Sequence, residues 1–326
     1  MNYRILGKTG FRISEVSLGT WQLGSKWGDP FDKEVAFKTL EAACEQGINF
    51  FDTADIYQGG LSEKTIGEFL KGRSERIYVV TKCGRGLNPH NAEGYNAENI
   101  RRFVFNSLQN MQRDCLDMVL LHCPPSEVYS KQEVFDTLDA LKREGRILHY
   151  GVSVERIDEA LEAMNHDISA IEIIFNMFRL RPADELFAKA KQQNVGIIVR
   201  VPLASGLLSG KYTLETTFGK DDHRSYNRNG EFFDKGETFS GVDYTTGVKA
   251  AQVLKERLNT DNLALAALRY ILMYDAVSTV IPGASTPAQI AANAAASALP
   301  AFTDEEMKVV RDVYDEYIKE QVHKLW

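Results

Sequence analysis

Eight short apolar runs rich in β-branched residues recur along the chain, and amphipathic segments of helical period separate them. The runs span 15–19, 48–52, 77–82, 118–122, 148–153, 170–175, 196–201 and 277–282. Several are continuous rather than alternating, as in Tyr78-Val79-Val80 and Ile197-Ile198-Val199. Continuous runs suit strands covered on both faces in a parallel sheet. The intervening patterns predict helices over 33–46, 63–70, 96–111, 132–143, 157–165, 183–193, 246–257, 263–274 and 287–297. Gly47 stands as a C-cap, Ser62 as an N-cap and Pro182 in a first turn.

Eight strand–helix units with no linker and no break in composition predict one α/β domain over 1–326, a (β/α)8 TIM barrel. A doubly wound parallel sheet is the rival, because strand order in space is not written in the chain. Two pieces fall outside the repeat. Residues 1–13 hold a Gly7-Lys8-Thr9-Gly10 turn between β-prone runs, which predicts an N-terminal β-hairpin cap. Residues 302–319 read as an extra C-terminal helix. The stretch 216–244 is polar, rich in Gly and Asp, and without period. A loop of that length inside a compact domain is usually functional or mobile.

The chain of 326 residues is long enough to bury a large core. Its formal net charge of −7 argues against a general polyanion-binding surface, so no nucleic-acid partner is expected. No run approaches the roughly 18 apolar residues of a membrane span, and residues 1–10 lack the apolar stretch of a signal peptide. Cys44, Cys83, Cys115 and Cys123 show no CxxC spacing, so neither a disulfide framework nor a metal site is expected. These features predict a cytoplasmic protein in a reducing compartment, with no membrane association. The oligomeric state is not legible.

Active sites of such barrels lie at the C-terminal ends of the strands. The second run ends in Asp52, the third in Lys82 and the fourth in His122. Tyr57 follows in Asp55-Ile56-Tyr57-Gln58-Gly59-Gly60. Each residue alone has an ordinary reading: a paired lysine, a satisfied histidine, a tyrosine packed on a turn. Together they meet one requirement, a proton donor for a carbonyl oxygen. Tyrosine titrates near pH ~10 and is a poor donor near neutrality; lowering that by about three pH units takes about 4 kcal/mol. The Lys82 ammonium can supply much of this in a dry pocket. Asp52 would hold Lys82 charged, and His122 would hydrogen-bond the phenol or the substrate oxygen. Tyr57 would then be the general acid of carbonyl reduction, or the base of the reverse reaction. A barrel hydrolase or lyase using Asp52 with Glu63 or His122 is the competing chemistry.

Two glycine patterns fail their context tests. After Gly84-Arg85-Gly86 the third glycine of a dinucleotide fingerprint would fall at Pro89, and Gly206 to Lys211 is one spacer short of a phosphate loop and is followed by Tyr212. Cys123 reads as a small buried apolar group rather than a nucleophile.

Longer motifs follow one another in a set order. They are Tyr3-Arg4-Ile5-Leu6-Gly7-Lys8-Thr9-Gly10, Leu18-Gly19-Thr20-Trp21, Asn49 through Tyr57, Ser62-Glu63 and Val80-Thr81-Lys82. Asp117 through His122, Gly151-Val152-Ser153, Pro202 through Lys211 and Ile281-Pro282-Gly283 complete the set. In these the chain resembles the aldo-keto reductase family over nearly its whole length. The resemblance implies an NAD(P)H-dependent oxidoreductase that reduces an aldehyde or ketone to an alcohol, with a small-molecule carbonyl or alcohol as its substrate. It makes Asp52, Tyr57, Lys82 and His122 the catalytic tetrad. It favours NADP(H) as cofactor, with NAD(H) as the alternative.

By the same resemblance Thr20, Trp21 and Asp52 lie near the nicotinamide and its ribose, and Ser153 and Glu172 reach the carboxamide. Pro202, Leu203, Ser205, Gly206, Leu207, Ser209 and Lys211 belong to the loop whose backbone amides face the pyrophosphate. Gly283, Ser285, Gln289 and Asn293 surround the adenosine. Trp21, Trp27, Tyr57 and His122 shape the substrate pocket, with the loops 83–96 and 216–244 and the tail around Trp326. The chain departs from the family pattern in four places. Val154 follows Ser153 where the family has Asn. Glu172 stands for a Gln, with Asn176 as a possible substitute. Arg200 replaces an aromatic platform and would either stack on the nicotinamide or pair with Glu172. Ser285 and Thr286 stand where basic residues often meet a 2′-phosphate. Potassium-channel β-subunits also resemble this family, so a cofactor-binding regulatory subunit on the same barrel is the alternative function.

Overall fold

The structure, a computed structural model, describes residues 1–25 and 28–326. β1 (Tyr3–Ile5) and β2 (Arg12–Ser14) form an antiparallel hairpin with Tyr3 opposite Ser14. Eight parallel strands follow: β3 (Leu18–Gly19), β4 (Phe50–Asp52), β5 (Tyr78–Cys83), β6 (Leu116–His122), β7 (Ile147–Ser153), β8 (Ala170–Ile174), β9 (Gly196–Arg200) and β10 (Val277–Val280). Each pairs with the next in chain order. Parallel bridges from Val16 to Val280 and from Gly19 to Gly283 join the last strand to the first. Ser17 N donates to Val280 O at 2.9 Å and Val280 N to Glu15 O at 3.0 Å across that seam. A doubly wound sheet has two free edges and a reversal of strand order, so this closure excludes it. The first strand is shorter than the expected 15–19 because 15–17 pair only through these single contacts.

The strands alternate between two hydrophobic clusters. Phe51, Val79, Val119, Ile171 and Val199 face the surrounding helices. Phe50, Val80, Met118, Leu120, Ala170, Ile198 and Ile281 fill the barrel interior together with Leu6, Phe11 and Ile13 of the hairpin. The hairpin therefore plugs the barrel at the N-terminal ends of its strands. Side chains alternate with a period of two along a strand. Asp52, Lys82, His122, Glu172 and Arg200 each stand two residues beyond an interior apolar residue, namely Phe50, Val80, Leu120, Ala170 and Ile198. The period thus turns all five inward at the open end of the barrel. Ser153 joins them two residues beyond Gly151.

The helices form largely where their signals lie. Asp32 caps Lys33–Glu45, and Asn96 caps Ala97–Met111. Thr303 and Glu306 make a capping box on Asp304–Val313. Ser62 is not a cap: the helix Leu61–Leu70 starts at Gly60, whose φ of 87° suits glycine. The Ser62 hydroxyl instead lies 2.8 Å from Thr53 Oγ1 and 2.9 Å from Thr20 Oγ1, tying the ends of β3 and β4 to that helix. The expected helix 183–193 divides at Leu186 into Arg181–Glu185 and Phe187–Gln192. The expected helix 302–319 passes through a π-type turn, Tyr314–Ile318, into Lys319–Val322.

The aperiodic stretch 216–244 folds without a hydrophobic repeat because polar side chains satisfy its backbone. Asn227 Oδ1 accepts from Phe232 N at 2.8 Å and Phe233 N at 2.9 Å, and its amide donates to Thr238 Oγ1 at 3.1 Å. Trp326 underpins the segment: its indole donates to Asp234 Oδ1 at 2.8 Å, and the Arg179 guanidinium lies 4.1 Å from its ring centroid. Among the described residues no helix is long and apolar enough to cross a membrane.

Gly151 lets β7 and β8 approach closely, since a Cβ there would collide with the Ala170 carbonyl oxygen and press Leu120 at 2.9 Å. Gly151→Ala is expected to lower the unfolding free energy by about 1–3 kcal/mol, measured as a shift of the urea midpoint; an unchanged midpoint would contradict this packing.

Candidate active site

Lys82 stands next to last on β5, with no exposed surface. Its Nζ donates to Asp52 Oδ2 at 2.6 Å, Asp52 Oδ1 at 2.7 Å and Thr53 O at 3.1 Å. Tyr57 stands on the 3₁₀ turn Tyr57–Gly60, and its hydroxyl oxygen is 3.3 Å from Nζ. The Glu172 carboxylate approaches the same nitrogen at 3.5 Å. Burial opposes the ammonium, but Asp52, Glu172 and Tyr57 outweigh it and raise the amine above its ordinary range, so Lys82 is held charged.

The phenol does not behave as the sequence suggests. Although part of the ring faces the cleft, desolvation pushes Tyr57 upward. Lys82 pulls it down, Asp52 and Glu172 push it up again, and the net direction is up rather than the expected three pH units down. Burial, then Glu172, also raise the Asp52 carboxyl well above its ordinary range against the pull of Lys82; an ammonium shared between two acids has little field left to stabilise a phenolate. His122 meets Tyr57 ring edge to face, with centroids 6.0 Å apart. Burial, then Arg85, Lys82 and Arg200, push its imidazole well below the usual histidine range, so it is neutral. Its Nδ1 is buried and has no hydrogen-bond partner among the described residues.

A second charged group borders the first. Ser153 Oγ donates to Glu172 Oε1 at 3.2 Å. Arg200 pairs mainly with Glu155, at 2.8 Å, and less closely with Glu237, at 3.6 Å; the expected partner Glu172 is 4.0 Å away. Arg85 closes the group on Glu237 at 2.7 Å. Burial pushes Glu155 up to about 8, while Arg85 and Arg200 overcome burial and hold Glu237 down to about 2. Cys123, Glu155 and Glu237 offer three ligand atoms within 4.8 Å of one another, and the Arg200 guanidinium already pairs with both carboxylates. Burial raises the Cys123 thiol well above its ordinary value, as befits an inert group.

A cleft of about 330 Å³ runs over these residues, at the small end of ligand sites. Trp21, Asp52, Tyr57, His122, Ser153, Glu172 and Arg200 line one part, and Pro202, Leu203, Ser205, Gly206, Gly283 and Gln289 the other. Lys82 lies behind Asp52 and Tyr57. Thr20 is fully buried, its hydroxyl on Asp52 O at 2.7 Å. Leu207, Ser209, Lys211, Ser285 and Asn293 are outside the lining, Leu207 because it is packed in the core. Ser285 N and Oγ both donate to Gln289 Oε1, at 2.8 and 3.2 Å. Asn176 cannot substitute for a carboxamide ligand: it is buried, donating to Val201 O and Ser240 Oγ and accepting from Phe178 N. Trp27 lies outside the described residues. His223, Arg224 and Glu237 also line the cleft and were not singled out from the sequence. They come from 216–244, where three titratable residues in a segment without a core-facing period were the only signal. His223 packs at a tilt against Trp21 with centroids 5.3 Å apart, and burial lowers its imidazole to about 4.

A sequence model of the Aldo/keto reductase family matches residues 15–315. An uncharacterized oxidoreductase of Bacillus subtilis (strain 168), YqkF, is 29% identical over 99% of both chains. L-galactose dehydrogenase of Arabidopsis thaliana is 30% identical over 90% of this chain and 87% of its own. The solved holo form of the aldo-keto reductase AKR11C1 from Bacillus halodurans superimposes with a TM-score of 0.77 at 30% identity, covering 96% of each chain. With strand-end residues gathered in one cleft and a family match across the barrel, the chain belongs to the aldo/keto reductase family of oxidoreductases.

Proposed function

We propose that the protein reduces an aldehyde or ketone to the alcohol by hydride transfer from NAD(P)H, with Tyr57 as general acid. The observation that carries this reading is the Tyr57 hydroxyl 3.3 Å from a Lys82 ammonium that Asp52 holds at 2.6 and 2.7 Å, beside a neutral His122.

The residues fit a nicotinamide cofactor. Glu172 Oε2 is buried without a hydrogen-bond partner among the described residues, and can accept from a carboxamide N–H. Above Gly283 a Cβ would meet nothing within 4 Å, so that end of the cleft is open to an adenosine. When bound, the reduced cofactor supplies the hydride that a carbonyl carbon receives. Tyr57, kept protonated, gives its proton to the carbonyl oxygen as negative charge develops there. Lys82 steadies the phenolate left behind, and Asp52 keeps Lys82 in place. His122 is neutral and offers one N–H to the same oxygen. The rings of Trp21, Tyr57 and Phe233 suit an apolar or aromatic carbonyl, or the flat face of a sugar, and the plant relative named L-galactose dehydrogenase puts sugars in the first panel.

Family habit favours NADP(H). The Ser285–Gln289 pairing favours NAD(H) as a second reading, because it offers a 2′-phosphate hydroxyl and amide groups rather than a cation. Quenching of protein fluorescence is expected to give NADPH the lower Kd, by less than about tenfold; a lower Kd for NADH selects the second reading.

Tyr57→Phe is expected to cut kcat for carbonyl reduction by about 100-fold or more, with cofactor Kd nearly unchanged. More than about a tenth of the wild-type rate would remove the general-acid role. Lys82→Met is expected to collapse turnover to a similar degree; wild-type rates would remove the ammonium from the mechanism. No turnover of any carbonyl by the wild-type protein that still binds cofactor would instead favour the regulatory-subunit reading.

A further inference from the structure

We propose that Glu172 is a positioning residue that competes with Tyr57 for one N–H of Lys82 and so biases the kcat values of the site toward carbonyl reduction over alcohol oxidation. This rests on the reading of Tyr57 as the proton donor.

An ammonium has three donors. Asp52 engages Lys82 through both carboxylate oxygens, at 2.7 and 2.6 Å, and Thr53 O accepts at 3.1 Å. Two oxygens remain at nearly equal range: the Tyr57 hydroxyl at 3.3 Å and Glu172 Oε2 at 3.5 Å. Three close donors cannot serve five oxygens at full strength, so whatever Glu172 draws from Lys82 is lost to Tyr57. The carboxylate has one neutral donor besides, Ser153 Oγ to Oε1 at 3.2 Å; the residue is 1% exposed, and among the described residues Oε2 has no hydrogen-bond partner. Arg200, 4.0 Å from the other carboxylate oxygen, is committed to Glu155 at 2.8 Å.

The charged and titratable groups around the phenol come from four strands: Asp52 on β4, Lys82 on β5, His122 on β6 and Glu172 on β8. His122 is neutral. Burial and the neighbouring Glu172 raise the Asp52 carboxyl well above its ordinary range against the pull of Lys82, so the two acids share one cation, and Glu172 opposes ionisation of Tyr57 both directly and by its hold on Lys82. Reduction begins from the phenol: the Tyr57 O–H bond breaks, the proton joins the substrate oxygen, and the electron pair stays on Tyr57. Oxidation of an alcohol begins from the phenolate, which Glu172 disfavours. A glutamine would keep the shape and remove the charge.

The test uses the full chain with Glu172→Gln, and Glu172→Met where the first variant fails to fold by circular dichroism. The phenolate absorbance of Tyr57 is isolated by subtracting, for each protein, its Tyr57→Phe counterpart, which removes the other 12 of 13 tyrosines. Tyr57 in the variant is expected to ionise at a pH lower by about one unit or more, the effect of deleting a like charge at close range. The basic limb of the reduction profile should move down equally. At a fixed pH below both limbs, the ratio of alcohol oxidation to carbonyl reduction should rise about tenfold. Glu172→Asp keeps the charge but draws it back by one methylene, and should move the Tyr57 ionisation less than Glu172→Gln does. The proposal is overturned if Tyr57 ionises at the same or a higher pH in the variant. It is also overturned if only the NADPH affinity changes, which would leave Glu172 as a cofactor contact. The absorbance comparison needs no turnover, so it stands apart from failure of the reductase reading, which an inactive wild-type protein would reveal.

Discussion

A lysine with no exposed surface forces the arrangement of everything near it. Removing an ammonium from water costs several kcal/mol, and only close anionic and hydrogen-bonding partners offset that. Lys82 finds them in both oxygens of Asp52, the Thr53 carbonyl and the flank of Glu172. Deleting one partner of such a pair typically costs about 3–5 kcal/mol, because the other charge is stranded. The same compensation limits what Lys82 can do for Tyr57. A charge that is closely matched projects little field, which leaves the Tyr57 phenol holding its proton.

The barrel supplies the register that makes this crowding possible. Interior apolar residues one turn of the pleat below the rim, Phe50, Val80, Leu120, Ala170 and Ile198, are packed against the hairpin residues Leu6, Phe11 and Ile13. Those contacts fix the depth of each strand. A slip of one residue in any strand would carry its polar end residue to the helix side of the sheet. Gly151 and Ser62 do related work, the first by admitting a neighbouring strand closely, the second by bonding two threonines at the ends of β3 and β4.

The segment 216–244 couples to this frame through charge. Glu237 sits between Arg85 and Arg200, and Glu155 shares Arg200 from the other side. Arg200 thus serves as the hub of a buried ion network that draws a loop over the barrel mouth. The aromatic wall of the cleft is completed by the same loop, since Phe233 and His223 both contact Trp21.

The strand count, the inward set Asp52, Lys82 and His122, the hairpin and the bulk of the helices were legible in the sequence, because each depends on local period, capping and strand-end position. The resemblance to a family rested on contiguous motifs of the same local kind. What the chain could not disclose were long-range electrostatic sums. The Tyr57 shift sums burial with the charges of Lys82, Asp52 and Glu172, the last of which lies over a hundred positions away, and the choice of Glu155 over Glu172 as partner of Arg200 depends on how β7 and its following loop meet β9. The loop residues His223, Arg224 and Glu237 were equally hidden, since no periodicity marks a polar segment that folds by side-chain-to-backbone bonds. Local pattern determined which residues reach the barrel mouth; only the closed tertiary structure decided which charges face one another there, because Coulomb energy follows distance in space and not along the chain.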